Sequence, residues 1–264
     1  MRIQKLTRLS AYLACLICFL YLMVYYSEYH FHPINDVPNS NTSIENAVQQ
    51  MLTCDSGDTS RHRALLSILH AWSHFAHTYN IQYWIAYGTL VGFVQRQGLL
   101  PHDLDTDVLI LSQDTKHLVP FSNAHFSPIY EIIVHPQWSF FGHENRSFYL
   151  SKGIDFRTPN ARFVHRKLRY HLDIFPAYEH YSDQSQNGTD TNTSMVHMIY
   201  NISDTLIAVP VEWTFPLKAC VFSGINVWCP AKPSKLVTAL YGAGAVNKTN
   251  AICVNSTWVK GPMS

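Results

Sequence analysis

Three alternating aspartates have the residue types and spacing best suited to chemistry in this sequence. Asp103, Asp105 and Asp107 directly precede the apolar run 108–111. A polar alternation that leads into an apolar run is typical of a β-strand, and residues i, i+2 and i+4 of a strand share one face. At about 5 Å and an effective dielectric of about 20, each carboxylate pair repels by roughly 3 kcal/mol. The sequence therefore predicts either full solvation or a bound cation at these aspartates.

Two alternatives compete with a Mg²⁺-type site at these aspartates, namely a solvated loop and a Ca²⁺-binding loop. Hard cations such as Mg²⁺ bind a few carboxylates together with substrate phosphate oxygens, so a metal here predicts metal-assisted phosphoryl transfer. A solvated acidic loop carries the same pattern without any ligand. A Ca²⁺-binding loop fits poorly, because an EF-hand requires a glycine next and a glutamate further on, whereas Val108 and Leu109 follow here.

The segment before the aspartates is expected to position a phosphate beside them. Its pattern predicts a strand over 83–87, a turn at Gly88 and Thr89, a short helix over 90–95, and then the aspartate strand. This is the local order of a nucleotidyltransferase core. Gly88 allows a phosphate to approach the backbone, and a helix N-terminus favours anions. Arg96 follows with a charge suited to a phosphate.

A fourth acid, Asp173, lies in the apolar run 171–176, which predicts a further strand. A buried carboxylate needs a partner. Completing a metal site with Asp105 and Asp107 would supply that partner. A strand carboxylate that is only hydrogen-bonded is the alternative.

The composition indicates one ordinary domain with appendages. Of 264 residues, 47% are hydrophobic and 14% are charged, so a large core is expected. The formal charge of +1 gives no reason to expect nucleic acid as a partner. Helices are predicted from Asp58 to about Asn80 and from Pro233 to Gly242.

The N-terminus predicts a membrane anchor. Basic residues within 1–8 precede the uncharged apolar segment 9–26, which as a helix is about 27 Å long and can span a bilayer. Positive charge on the short N-terminal side predicts a type II orientation with a cytosolic tail. No clear cleavage site follows, so a signal anchor is preferred to a signal peptide. We expect 27–57 to be a lumenal stem and 58–264 the catalytic domain.

Sequons and cysteines predict that this domain lies in the lumen of the ER or Golgi. Cys54, Cys220, Cys229 and Cys253 form an even set suited to an oxidising compartment. A hairpin turning at 223–224 would bring Cys220 opposite Cys229 and leave Cys54 for Cys253, although the sequence alone allows three pairings. Seven N-x-S/T sequons follow the anchor, at Asn41, Asn145, Asn187, Asn192, Asn201, Asn247 and Asn255.

Three ordered motifs resemble the LicD family, which includes bacterial phosphocholine transferases and the animal proteins fukutin and fukutin-related protein. GTLVGFVQRQGLLPHDLDTDV, at 88–108, is similar to the family signature GTLLG-x-x-R…P-W-D-x-D-x-D. HLDIFP at 171–176 resembles its h-D-I-F element. WTFPLKACVFSGINVWCP and LVTALYG resemble its C-terminal tail. The resemblance covers about residues 62–245.

The resemblance implies an α+β, nucleotidyltransferase-like fold, with a mixed sheet and flanking helices. It implies transfer of a phospho-alcohol, either phosphocholine, ribitol phosphate or glycerol phosphate, from a CDP-linked donor to a glycan or glycoprotein acceptor. The implied cofactor is Mg²⁺ or Mn²⁺, held by Asp105, Asp107 and Asp173. Asp103 or Asp173 would be the candidate base.

The same resemblance assigns donor contacts. Gly88 and Thr89 would line the donor phosphates, and Arg96 matches the arginine of the family signature. His102 stands where the family usually has tryptophan, which bears on how the donor fits.

Two other functions remain open on sequence grounds. A D-x-D glycosyltransferase also uses a metal and a nucleotide donor, but it gives no reason for the Gly-Thr turn or for Asp173. An inactive lumenal module that recognises glycans is the second alternative. The complete set of three acids argues against it.

Overall fold

The computed structural model describes residues 40–122, 127–135, 159–182, 195–202, 205–247 and 251–261. The predicted tail and anchor, the stem up to residue 39 and the sequons at 145, 187 and 192 lie outside these residues. Within the described ranges, no helix has the length and apolar character needed to cross a membrane.

Helices and strands alternate irregularly along the chain. The helices are α1 (Ser40–Gln49), α2 (Asp58–Thr78), α3 (Tyr87–Arg96) and α4 (Pro233–Tyr241), with 3-10 turns at Ser112–His117, Val119–Phe121, Val211–Trp213 and Ala243–Val246. The strands are β1 (Trp84–Ile85), β2 (Thr106–Leu111), β3 (Tyr130–Val134), β4 (Ala161–His165), β5 (His171–Ser182), β6 (Met195–Ile202), β7 (Thr205–Pro210), β8 (Lys218–Phe222), β9 (Ile225–Cys229), β10 (Ala251–Val254) and β11 (Thr257–Lys260).

A mixed sheet organises the described part of the chain. Its order is β1-β2-β5-β4-β3, and β6 and β7 continue from the second half of β5. β2 and β5 run parallel, whereas the other neighbouring pairs are antiparallel. The predicted α+β class, with a mixed sheet and flanking helices, is confirmed.

The core lies between α2 and the sheet. Apolar side chains recur along α2 at helical spacing, so one face of the helix is buried. Trp72 on this face packs edge-on against Phe163 of β4 and against Tyr83, with 5.7 Å between ring centroids in both pairs. The helix predicted from Asp58 to about Asn80 is confirmed, and Asn80 takes a left-handed φ of 53° just beyond its end.

The folded unit includes residues that the sequence analysis placed in the stem. α1 buries Ile44 and Val48 against the core, and Met51 just beyond it is buried as well. Ile44 and Val48 are four residues apart and so lie on one helix face. Glu45 accepts hydrogen bonds from the guanidinium of Arg63 on α2 at 2.6 and 2.9 Å. The stem therefore does not extend to residue 57.

Two hairpins carry the disulfides. β8 and β9 are joined by the predicted turn at Ser223 and Gly224, and Cys220 on β8 is bonded to Cys229 on β9. The β10–β11 hairpin is bonded to the segment before α2 through Cys54–Cys253. Of the three pairings that the sequence allowed, the preferred one is confirmed.

Candidate active site

The sequence predicted that the three aspartates lie on one strand, and this prediction is wrong. β2 begins only at Thr106, so Asp103 and Asp105 belong to the preceding loop and Asp107 alone lies in the strand. The chain makes a turn here, in which the amide of Asp103 donates to the carbonyl of Leu100 at 3.1 Å. Because a turn breaks the two-residue period of a strand, the carboxylates approach one another from a loop and a strand.

The predicted strand 83–87 and Gly-Thr turn are also corrected. β1 contains only Trp84–Ile85, and Gly88 and Thr89 form the first turn of α3. Tyr87 begins this helix with a left-handed φ of 45°, a conformation that costs energy for a residue with a side chain. Its ring packs edge-on against Phe175 of β5, with 5.0 Å between centroids. This sharp entry brings the N-terminus of α3 to the start of β2.

The carboxylates nevertheless converge there. Burial raises the pKa of Asp107 well above its usual range, and the charges of Asp105, Asp103 and Asp173 raise it further. A hydrogen bond from the Gly88 amide opposes this shift. Burial likewise raises the pKa of Asp103 to about 7, with the charge of Asp105 adding to the effect. Four acids therefore share one electrostatic environment.

Asp173 reaches the cluster from β5. It is the register partner of Asp107 in the parallel β2–β5 pair, and it is 6% exposed. Its Oδ1 accepts a hydrogen bond from Nε of Arg162 on β4 at 2.8 Å. Burial raises the pKa of Asp173, whereas the charges of Arg162 and His171 lower it and that of Asp105 raises it. Asp173 therefore lies beside the other acids, and its predicted role as a metal ligand stays a prediction.

A group of metal-ligating atoms lies within this cluster. One ligand atom each from Asp105, His171 and Asp173 lies within 4.8 Å of the others. The sequence predicted Asp105, Asp107 and Asp173, so it missed His171. The signal was present in HLDIFP, because residues two apart on a strand share a face.

The surroundings of the acids are those of a divalent-cation site. Asp103 Oδ2 is buried and has no hydrogen-bond partner among the described residues. A Cβ added to Gly88 would be in ordinary contact with the acids, 3.5 Å from Asp103 Oδ1 and from Asp107 Oδ2, so the backbone approaches both carboxylates without a side chain between them. Buried, mutually repelling carboxylates, one of them with an unpartnered oxygen, suit a hard or borderline cation, and the residues present fit one.

The residues predicted to bind the donor do not lie together: Gly88 and Thr89 contact Asp107, whereas Arg96 is at the far end of α3. The Gly88 amide is bonded to Asp107, and the hydroxyl oxygen of the buried Thr89 accepts a hydrogen bond from the Asp107 amide at 2.8 Å. Arg96 ends α3 and is exposed, about 12 Å along the helix axis from Gly88. Its contact with a phosphate stays a prediction.

Among the described residues, Arg162 and Arg61 lie beside the acids, and the sequence motifs singled out neither of them as the site arginine. Arg61 on α2 is buried and donates to the carbonyl of Pro101 at 2.7 Å. The same carbonyl lies 2.8 Å from Nε2 of His62. The charge of Arg61 also opposes the raised pKa of Asp103, which burial chiefly causes. α2 therefore holds the loop that presents Asp103 and Asp105.

Comparison with known proteins identifies the family. A family model described as LicD/FKTN/FKRP, nucleotidyltransferase domain, matches residues 80–232, more than half of the chain. The chain belongs to the LicD family. Its domain indicates a phosphotransferase-like function, and the match contains all four acids of the cluster.

Two bacterial proteins are similar to a short part of this LicD protein. The uncharacterized protein RP689 of Rickettsia prowazekii is 51% identical over 39 residues, which is 15% of either chain. The uncharacterized protein RT0683 of Rickettsia typhi is 50% identical over 38 residues, 14% of this chain and 12% of that protein. The matches span only a small part of these relatives.

Segments outside the matched residues also reach the acids, or the loop that precedes them, in this LicD protein. Partial burial raises the pKa of the Tyr241 hydroxyl at the end of α4, although the residue is 42% exposed, and the charges of Asp107 and Asp103 raise it further. Trp258 of β11 lies beside His102, with 6.1 Å between ring centroids, and its Nε1 donates to Asp58 at 3.0 Å. Sequence patterns missed both, because each is distant from the aspartates along the chain.

Proposed function

We propose that this LicD-family protein transfers a phospho-alcohol from a CDP-linked donor to a glycan, in a metal-dependent reaction. The observation that carries the proposal is the convergence of four acids at the start of β2, beside the N-terminus of α3. Membership of the LicD family supports a phosphotransferase-like reaction. Phosphocholine, ribitol phosphate and glycerol phosphate are the candidate groups.

The donor diphosphate would lie between the acids and Arg162. Asp105 and Asp173, with Asp107 beside them, would hold Mg²⁺ or Mn²⁺. A bound cation of this kind neutralises charge on the phosphates. Arg162 is half-exposed and uses Nε for its bond to Asp173, so that bond leaves its two terminal nitrogens unused. A guanidinium is well suited to phosphate oxygens.

The acceptor would be a sugar hydroxyl that attacks the phosphorus of the transferred group. A bond forms between the hydroxyl oxygen and phosphorus, the bond from phosphorus to the CMP oxygen breaks, and CMP leaves. The hydroxyl proton must pass to a base. Asp103 suits this role, because its Oδ2 has no hydrogen-bond partner among the described residues.

The secretory pathway is the proposed location, with 9–26 as the anchor in the ER or Golgi membrane and the catalytic domain in the lumen. Two disulfides support an oxidising compartment. The sequon residues Asn247 and Asn255 are exposed, as glycosylation requires.

Release of CMP tests the proposal. The full-length chain, purified in detergent, would be incubated with Mn²⁺, a panel of glycan acceptors, and CDP-ribitol, CDP-glycerol or CDP-choline. We expect release from one donor, and loss of that release in the Asp105→Ala/Asp107→Ala variant. Glu179→Ala/Glu212→Ala removes two exposed carboxylates and serves as the matched control.

Other outcomes would contradict the proposal. Turnover of UDP- or GDP-sugars in place of the CDP donors would identify a glycosyltransferase. Equal CMP release by wild type and the double aspartate variant would mean that the acid cluster is not the reaction centre.

A further inference from the structure

His171 occupies a position that the reaction outlined above does not use. It is the first residue of β5 and precedes Asp173 by two, so both side chains lie on the same face of the sheet. Its Nε2 lies 3.5 Å from Asp173 Oδ1, and its side chain is 29% exposed. The imidazole therefore borders the acid cluster at an accessible edge.

Asp107 and His171 differ in how their ligand atoms are engaged. The Asp107 carboxylate accepts the Gly88 amide hydrogen bond at the start of α3. His171 instead lies with Asp105 and Asp173 in the group whose ligand atoms are within 4.8 Å of one another. We propose that His171 is a direct ligand of the divalent cation and that it makes the site prefer Mn²⁺ to Mg²⁺. This inference rests on the proposed metal-dependent function.

The preference follows from ligand chemistry. Mg²⁺ strongly favours oxygen ligands and retains several waters, whereas divalent transition-metal ions also accept imidazole nitrogen. Two carboxylates and one imidazole form a mixed oxygen and nitrogen set. Such a set favours a transition-metal ion over Mg²⁺, in contrast to the all-carboxylate set that the sequence predicted.

The competing role for His171 is that of a cationic partner for Asp173. Asp173 already has such a partner, because its Oδ1 accepts a hydrogen bond from Arg162 at 2.8 Å. A second cation is therefore not needed to compensate the buried carboxylate. A neutral imidazole, by contrast, has a lone pair to offer a metal.

Binding measurements on the full-length chain in detergent test the inference without relying on activity. Calorimetric titration would give Mn²⁺ and Mg²⁺ affinities for wild type, His171→Gln and, as a matched surface control, His74→Gln. We expect His171→Gln to weaken Mn²⁺ binding by about ten-fold or more and to leave Mg²⁺ binding unchanged. Pulsed EPR of bound Mn²⁺ would show coupling to a directly bound nitrogen in wild type and His74→Gln, but not in His171→Gln.

Each further outcome is decisive. Mn²⁺ bound to wild type without nitrogen coupling would overturn the inference, and this result needs no variant to fold. CMP release that depends on Asp105 and Asp107 would then show that the proposed function stands with an oxygen-only site. Absence of Mn²⁺ binding to wild type would also overturn the inference, and the same CMP assay with Mg²⁺ would show separately whether the function fails.

Discussion

The hydroxyl oxygen of Thr89 accepts a hydrogen bond from the amide of Asp107 at 2.8 Å, and Thr89 is completely buried. In return, the Gly88 amide donates to the carboxylate of Asp107. The first turn of α3 and the start of β2 are thus joined in both directions. The position of the Asp107 carboxylate is therefore fixed by the two residues that the sequence analysis assigned to the donor phosphates.

Replacement of Thr89 by valine tests this structural role. Thr89→Val keeps the shape but removes the acceptor of the Asp107 amide, and a buried amide without a partner costs about 1–3 kcal/mol. We expect urea unfolding to show a loss of stability of that size, together with weaker Mn²⁺ binding. Thr89→Ser keeps the hydroxyl and should preserve the metal affinity. Equal Mn²⁺ affinity in the valine and serine variants would mean that the hydrogen bond does not position Asp107.

Replacement of Gly88 by alanine tests whether the space between the acids is used. The added methyl group would lie 3.5 Å from Asp103 Oδ1 and Asp107 Oδ2, at ordinary contact distance, so folding should be preserved. We expect an unchanged melting temperature but weaker Mn²⁺ binding and slower CMP release. Gly244→Ala, where a methyl group meets nothing within 4 Å, is the control. Full metal binding by Gly88→Ala would show that the space beside Asp103 and Asp107 is not part of the cation site.

Local patterns predicted some of the elements, but not α1, β4, β6, β7, β10 or β11. The apolar stripe after Asp58 and the turn residues at Ser223 and Gly224 each specify structure through neighbouring residues, and both were confirmed. The prediction of one strand containing all three aspartates was wrong. Asp103, Asp105 and Asp107 alternate with the period of a strand, but the chain turns at Asp103 and β2 begins only at Thr106.

The partners of the acids were beyond sequence patterns. Arg61 lies about forty residues before the aspartates, and Tyr241 lies well over a hundred residues after them. Only the packing of α2 and α4 brings their side chains to the site, and neither residue type is unusual where it stands. His171 was predictable, because it lies two residues before Asp173 and shares its strand face, but the aspartate pattern pointed only to carboxylates.

The acid cluster should make stability depend on metal. Burial is the main cause that raises the pKa of Asp103, Asp107 and Asp173, and the charge of Asp105 also raises the pKa of each. Mn²⁺ at about one hundred times its dissociation constant should add about 2.7 kcal/mol to the stability of wild type. Asp105→Asn removes the repulsion that Asp105 exerts on the other acids and also removes a ligand, so we expect a higher melting temperature without metal and a much smaller shift with Mn²⁺.

The check on this prediction is thermal unfolding in EDTA and in Mn²⁺. Glu212→Gln, at an exposed site outside the cluster, should behave as wild type in both buffers. If Asp105→Asn lowered the melting temperature without metal, repulsion among the acids would not be the dominant effect of this charge.

The buried Asp58 should determine acid stability at the start of α2. Burial tends to raise the pKa of Asp58, but hydrogen bonds from the amides of Cys54 and Asp55 and from Trp258, with the charge of Arg61, hold it below its usual value. The ion pair with Arg61 is 2.6 Å long. Asp58→Asn leaves the Arg61 charge unpaired, which costs about 3–5 kcal/mol for a buried pair.

This cost should vary with pH in a defined direction. Because the folded pKa of Asp58 lies below the unfolded value of about 3.9, the stabilisation is complete above about pH 4 and is lost as the pH falls through the folded pKa. Urea unfolding from pH 3 to 7 should therefore show a constant difference between wild type and Asp58→Asn that narrows below about pH 4. Asp55→Asn, at a neighbouring exposed carboxylate, is the control. If the difference in unfolding free energy widened on acidification, the prediction would be wrong. Asp58 would then be excluded as the acid-sensitive link between α2 and the β10–β11 hairpin that carries Trp258.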